Sequence, residues 1–110
     1  MRLPNPQQAI VDIAKLRLYC LNPKHPRGRH KARIFASRLG ITEKHAERLR
    51  EALLQAAIEN EVRLGNQDKY GQRYVLDFEM SGPFGRATVR SSWIVLTGER
   101  RARMTSCYVL

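Results

Sequence analysis

The chain changes its hydrophobic period once, near Asn60, and that single change limits the folds open to it. Ahead of Asn60 the apolar residues recur at helical spacing, and beyond Glu61 they alternate as in a half-buried strand. In the first half, Ala32, Phe35, Ala36 and Leu39 fall at i, i+3, i+4 and i+7, and Gly40 stands where a left-handed C-cap is wanted. Thr42 then heads a further helix with the stripe Ala46, Leu49, Leu53, Ala56 and Ala57. His45, in its first turn, reads as a solvated surface residue. The opening segment has two readings. Asn5, Pro6 and Gln8 resemble an N-cap, a proline at the first helical position and a capping partner, followed by Ile10, Ile13, Ala14, Leu16 and Leu18. Residues 9–12 also read as a short strand, with Asp12 capping a later helix. Pro23 ends this segment, because proline disfavours helix in the residue before it.

In the second half, Tyr74, Leu76, Phe78 and Met80 alternate with Arg73, Val75, Asp77 and Glu79. Residues 81–85, Ser-Gly-Pro-Phe-Gly, form a hairpin signal; residues 87–96 give the next strand, Gly98 a turn, and residues 103–110 the last strand. The expected fold class is α+β: N-terminal helices packed on one face of a three- to four-stranded antiparallel sheet. A chain of 110 residues makes one domain, with 1–60 mainly helical and 61–110 the sheet. Its 43% hydrophobic content is enough for a core and argues against disorder.

Charge narrows the function. Lys and Arg number 20 against 10 Asp and Glu, a net +10, and fifteen of the cations are Arg. Arginine grips phosphate through a planar fork and stacks on bases, so this excess favours nucleic acid or an acidic protein as partner. Residues 1–6 lack an apolar run of the signal-peptide kind and no segment approaches membrane-spanning length, so no membrane partner and a cytoplasmic location are expected. Cys20 and Cys107 do not make a disulfide framework and read as free thiols. Cys20, His25 and His30 are evenly spaced, but a structural zinc site needs four ligands, and no metal is expected. No P-loop, dinucleotide-binding glycine pattern or Gly-flanked nucleophilic serine is present, and no cofactor is expected.

The densest chemistry lies in residues 24–33, K-H-P-R-G-R-H-K-A-R, around a Pro–Gly turn. Carboxylates are sparse and none has the spacing of a two-metal nuclease. Phosphodiester cleavage here would therefore use the 2′-OH of RNA as nucleophile, with a proton acceptor, a proton donor and cations for the charged transition state. His25 and His30 are the natural proton-transfer candidates, since imidazole titrates near neutrality; His25 also reads simply as a turn residue before Pro26. Lys31, Arg29 and Arg90 are candidate phosphate holders. Strand alternation puts Thr88, Arg90, Ser92, Ile94 and Leu96 on one face, opposite Val89, Ser91, Trp93 and Val95. It puts Met104, Ser106, Tyr108 and Leu110 together, opposite Arg103, Thr105, Cys107 and Val109. A sheet face left bare by the helices would thus offer Arg, Ser and Tyr in a shallow basic cleft.

Four stretches, L-N-P-K-H-P-R-G-R-H-K-A-R-I-F, Y-G-Q-R-Y-V-L-D-F, G-P-F-G-R-A-T-V-R-S-S-W-I-V and S-C-Y-V-L, resemble the bacterial DUF6883 family, a domain of unknown function. Its pattern is H-P-x-G-x-x-K-A-x-x-F, then Y-G-x-x-Y, G-P-x-G, V-R-[ST]-x-W and a closing [ST]-x-Y. Such domains resemble standalone toxins and the tips of polymorphic toxins, and their layout is similar to the barnase, EndoU, colicin and RelE ribonucleases at the level of fold. The resemblance implies roles for His25, Lys31 and Arg90, for the hydroxyls of Ser91 and Ser106, and for the aromatics Tyr74, Trp93 and Tyr108; Trp93 reads as core. The expectation is a toxin-type, metal-independent ribonuclease acting on RNA and neutralised by an acidic antitoxin or immunity protein. Its catalytic candidates are His25, Lys31, Arg90, Ser106 and Tyr108. Lys24, Arg27, Arg29, His30, Arg33, Arg73 and Arg103 would attract the nucleic acid. The alternatives are a non-catalytic nucleic-acid-binding module and a basic domain for an acidic protein partner.

Overall fold

Asp12 starts the first helix: its carboxylate accepts a hydrogen bond from the Ala14 N–H at 2.9 Å. This helix, α1, runs through Ile13–Lys15 and widens into a π-helical stretch, Leu16–Cys20. The second, α2, does the same, Arg29–Ile34 passing into Phe35–Leu39. Gly40, at φ 72°, ends it in the left-handed conformation. A 3₁₀ turn, Glu43–His45, leads into α3, Ala46–Glu59. The four strands follow: β1 Arg63–Asp68, β2 Gly71–Gly82, β3 Gly85–Leu96 and β4 Arg103–Val109. They form an antiparallel meander in the order β1-β2-β3-β4. The computed structural model describes residues 1–110, and it is an α+β fold of three helices followed by a four-stranded antiparallel sheet.

All three helices pack on the same face of the sheet. Leu16, Cys20, Phe35, Leu39, Leu49 and Leu53 bury against Tyr74, Leu76, Phe78, Val89, Trp93 and Cys107 in one core cluster. Trp93 is fully buried in it. Ser91 is the one polar residue that is buried; its hydroxyl donates to the Leu76 carbonyl and accepts from the Trp93 indole N–H, both at 2.9 Å. A tryptophan at the centre of a core needs such a partner, because an unpaired buried N–H is costly. At the far end of the β2–β3 hairpin, Gly82 rests on the last turn of α2. A Cβ there would collide with the Leu39 carbonyl, so only glycine allows the approach.

Three details differ from the pattern read along the sequence. Asn5 does not cap a long helix: it sits at φ 48°, its amide donates to the Arg100 carbonyl, and only Pro6–Gln8 coil as a 3₁₀ turn. Residues 9–12 are extended instead, and Ile10 bridges in parallel to Arg103. His45 is half-buried rather than solvated, its Nδ1 accepting the Thr42 N–H at 3.0 Å. In β4 the register shifts between Ser92↔Ser106 and Trp93↔Met104. This bulge at Thr105 turns Met104 into the core, away from Ser106 and Tyr108, a change that simple alternation does not foresee. The cysteines are both free, as read from the sequence, and although far apart in the chain they meet in the core. The neighbouring Cys20 thiol and burial push the Cys107 thiol well up, while the neighbouring Cys107 lowers that of Cys20 against the effect of burial.

Ser91→Ala removes the indole's partner and is expected to cost about 1–3 kcal/mol of stability. Ser106→Ala, on the uncovered face, should stay within about 0.5 kcal/mol of the parent. Urea unfolding midpoints of the two variants check the contrast, and equal midpoints would refute it.

Candidate functional site

The face of the sheet turned away from the helices carries the odd residues of β2 and the even residues of β3. Asp77 stands directly opposite Arg90, and Arg90 opposite Tyr108. One residue pair further on, Val75 faces Ser92 and Ser92 faces Ser106, with Arg63 of β1 opposite Val75. The polar residues of all four strands are thereby lined up in rows across the sheet.

Arg90 forms a two-pronged pair with Asp77, Nε to Oδ1 at 2.8 Å and Nη2 to Oδ2 at 2.9 Å. Arg63 approaches the same carboxylate at 3.5 Å. Asp77 comes first in holding the Arg90 guanidinium charged beyond its ordinary range, with a smaller contribution from the neighbouring Tyr108. The row is completed from outside the sheet. α2 packs beside β4, and Lys31 reaches from it so that its Nζ lies 4.4 Å from the centre of the Tyr108 ring. Lys31, Tyr108, Arg90, Asp77 and Arg63 therefore form one continuous row, with three cations and one anion. Ser92 and Ser106 stand next to it.

Four of the five residues expected to do chemistry, Lys31, Arg90, Ser106 and Tyr108, are brought together in this way. His25 is engaged in a turn. Its Nδ1 accepts the N–H groups of Arg27 and Gly28, at 3.0 and 3.1 Å, and its ring stands edge-on to Tyr19 with centroids 4.6 Å apart. These bonds close the Pro26–Gly28 turn and leave the neutral ring with its proton on Nε2. Gly28 is buried against the Tyr19 carbonyl, which a Cβ would approach to 2.7 Å. Around this turn Lys24, Arg27, Arg29, His30 and Arg33 are all exposed. Arg29 donates to the Pro26 carbonyl and Arg33 to that of Pro23, and neither has a carboxylate partner. The two strand arginines differ: Arg73 pairs with Asp68 at 2.7 Å, and Arg103 forms a two-pronged pair with Glu99 at 3.1 Å.

Asp77 and Arg63 were not among the site residues expected from the sequence, whereas Ser92 was placed there on the same face as Arg90. The signal for Asp77 was present: counting back along both strands from the hairpin-closing pair Gly82 and Gly85 sets Asp77 against Arg90. No group of three or more His, Cys, Asp or Glu side chains is arranged to hold a metal ion. No helix is long and apolar enough to cross a membrane.

Fold and site together describe a small α+β domain that presents a cationic, hydroxyl-bearing sheet face. The chain belongs to the family described as a domain of unknown function, DUF6883, whose model matches residues 2–110. No curated protein matches its sequence. Among solved structures it is similar to a chain of a contact-dependent growth inhibition toxin–immunity protein complex from Klebsiella pneumoniae 342. The TM-score is 0.70 at 19% identity, with 92% of this chain and 99% of that chain covered. At that identity the likeness concerns the fold.

Arg90, with Arg63 beside it, holds the Asp77 carboxyl below its ordinary value of 3.8. The folded state then binds fewer protons than the unfolded state around that pH, so this contribution to stability is complete above about pH 4 and fades as pH falls through the lowered value. Asp77→Asn should flatten the acid limb of the melting temperature against pH. A variant with the parent's slope between about pH 4 and pH 2 would show that the pair does not act this way.

Proposed function

We propose that this chain is a toxin-type ribonuclease domain that cleaves RNA without a metal ion, using the substrate's own 2′-OH, on the uncovered face of its sheet. The observation that supports this most is Lys31, which leaves the helical layer to lie over Tyr108 beside Arg90. Lys31 is exposed, and its position over the Tyr108 ring adds its charge beside a guanidinium already fixed by Asp77. Membership of the family and the fold shared with a chain from a toxin–immunity complex agree with the reading.

In this reading the scissile phosphate sits between Lys31 and Arg90. Arg90 gives two N–H groups to Asp77 and keeps the others, on Nη1 and Nη2, for phosphate oxygens. The 2′ oxygen attacks phosphorus, the bond from phosphorus to the 5′ oxygen breaks, and a 2′,3′-cyclic phosphate and a 5′-hydroxyl are formed. The Tyr108 hydroxyl accepts and donates at once, so it relays the 2′ proton to the departing 5′ oxygen. Lys31 and Arg90 stabilise the charge that builds on the phosphorane, an effect that is large where the cations are held in advance. Ser106 and Ser92 orient the substrate through their hydroxyls. His25 acts by shaping the turn that leads into α2 and so by aiming Lys31. The exposed cations at 24, 27, 29 and 33 draw the polyanion in. An acidic immunity or antitoxin protein laid over the same face is the inhibitor that this charge fits.

Purified protein with EDTA should cut RNA and leave 2′,3′-cyclic phosphate ends, while fully 2′-O-methylated RNA stays whole. Arg90→Ala and Tyr108→Phe should each lower the rate by about 10²- to 10³-fold with the fold intact by circular dichroism. RNA that is bound but left uncut would favour the binding module. Cutting that EDTA abolishes, or that leaves 3′-hydroxyl ends, would sink the proposed chemistry.

A further inference from the structure

On the same side of β3 as Arg90 and Ser92, further along the strand, Ile94 and Leu96 line a cavity of about 260 Å³. Ile10 and Thr105 also line it, so it lies at the β4 edge where the Thr105 bulge meets the Ile10 bridge. Its character differs from that of the cationic row. Half of its lining residues are apolar; of the charged ones Asp12 stands against Lys15, and Arg103 is offset by Glu99, which lies outside the lining. Such a hollow has no excess charge for a phosphate, but its size and polarity suit a flat, uncharged ring.

Arg103 supplies the flat surface. Its Nε and Nη2 both donate to the Glu99 carboxylate at 3.1 Å, which fixes the plane of the guanidinium and offsets its charge. A guanidinium held in this way offers its face to a base rather than its N–H groups to a phosphate. The Asp12 carboxylate spends Oδ1 on the α1 cap and keeps Oδ2, an acceptor for an exocyclic amino group. Four residues of strand separate Arg90 from Ile94, about 13 Å at the usual rise. That gap lies within reach of a base on a nucleotide next to one whose phosphate is held by Arg90, with Ser92 and Ser106 in between.

We infer that this hollow is a nucleobase pocket: it takes one unstacked base of single-stranded RNA, adjacent to the cleaved bond, against the Arg103 guanidinium. A base bearing an amino group is preferred to uracil. The inference rests on the RNA-cleaving reading of the cationic row, and it assigns Arg103 to base stacking instead of phosphate attraction.

Fluorescently labelled 2′-O-methyl RNA oligonucleotides bind without being cut, so they report on the pocket alone. Replacing one base at a time by an abasic sugar should weaken wild-type binding about ten- to hundred-fold at a single position and little elsewhere. Arg103→Lys keeps the charge and loses the plane, and should erase most of that positional difference while total affinity changes little. Leu96→Ala, at a half-exposed wall, should reduce it in the same direction. Equal losses at every position, or an Arg103→Lys protein that discriminates as the parent does, would overturn the pocket. Unmodified RNA assayed in parallel separates the two ideas. Cutting without base discrimination refutes the pocket alone, and discrimination without cutting refutes the ribonuclease reading alone. Absence of any binding refutes both.

Discussion

The two-residue connection between Gly82 and Gly85 fixes the register of β2 on β3, and the arrangement of both sheet faces follows from it. A slip of one residue would exchange the faces of a strand. It would send Arg90 into the core and turn Trp93 towards water. Gly82 guards against this from the other side, because its close approach to the Leu39 carbonyl ties the hairpin tip to the end of α2. The hydrogen bonds among Leu76, Ser91 and Trp93 lock the same register from within, since the donor and acceptor are satisfied only when Ser91 lies opposite Leu76.

Given that register, division of labour between the faces is a matter of which side the helices cover. One face buries its apolar side chains and contributes most of the stability. The other is released from packing and holds groups that a core would reject: Arg90, Asp77, Ser92, Ser106 and Tyr108. Asp77 keeps this face ordered. It spans Arg90 and Arg63, so a row that would otherwise repel itself has an anion inside it. The exposure is partial, with Asp77 at 23% and Arg90 at 32%, so the pair is screened less than one on the open surface.

The two arginine–carboxylate forks on this face lead to different chemistry through their surroundings. Arg90 has Lys31, Tyr108 and Arg63 near it, and the excess charge of that group suits an anion. Arg103 has Glu99 and lines a cavity whose walls are half apolar, which suits a ring. A backbone feature separates them, the bulge at Thr105, which interrupts alternation in β4 between the two sites.

Much of this was legible in the chain itself. The change of period near Asn60 determines helices before sheet, and the Gly-Pro-Phe-Gly turn determines the pairing that brings Asp77 to Arg90, because a hairpin is local. The stripes of α2 and α3 and the buried position of Trp93 follow from spacing in the same way. Other features depend on contacts between residues distant in sequence, for which spacing has no rule. Lys31 and Tyr108 meet only because α2 packs beside β4, and Cys20 meets Cys107 because the end of α1 packs on the same strand. His25 carried the strongest chemical signal along the chain, yet its Nδ1 closes a turn, since nearby backbone N–H groups reach it first. The sequence by itself determined which residues are cationic and which strand faces they occupy, because period and turn chemistry are local. Only the tertiary structure decided which face stays open and which cation crosses to it, because that depends on how the helices bury their apolar stripes.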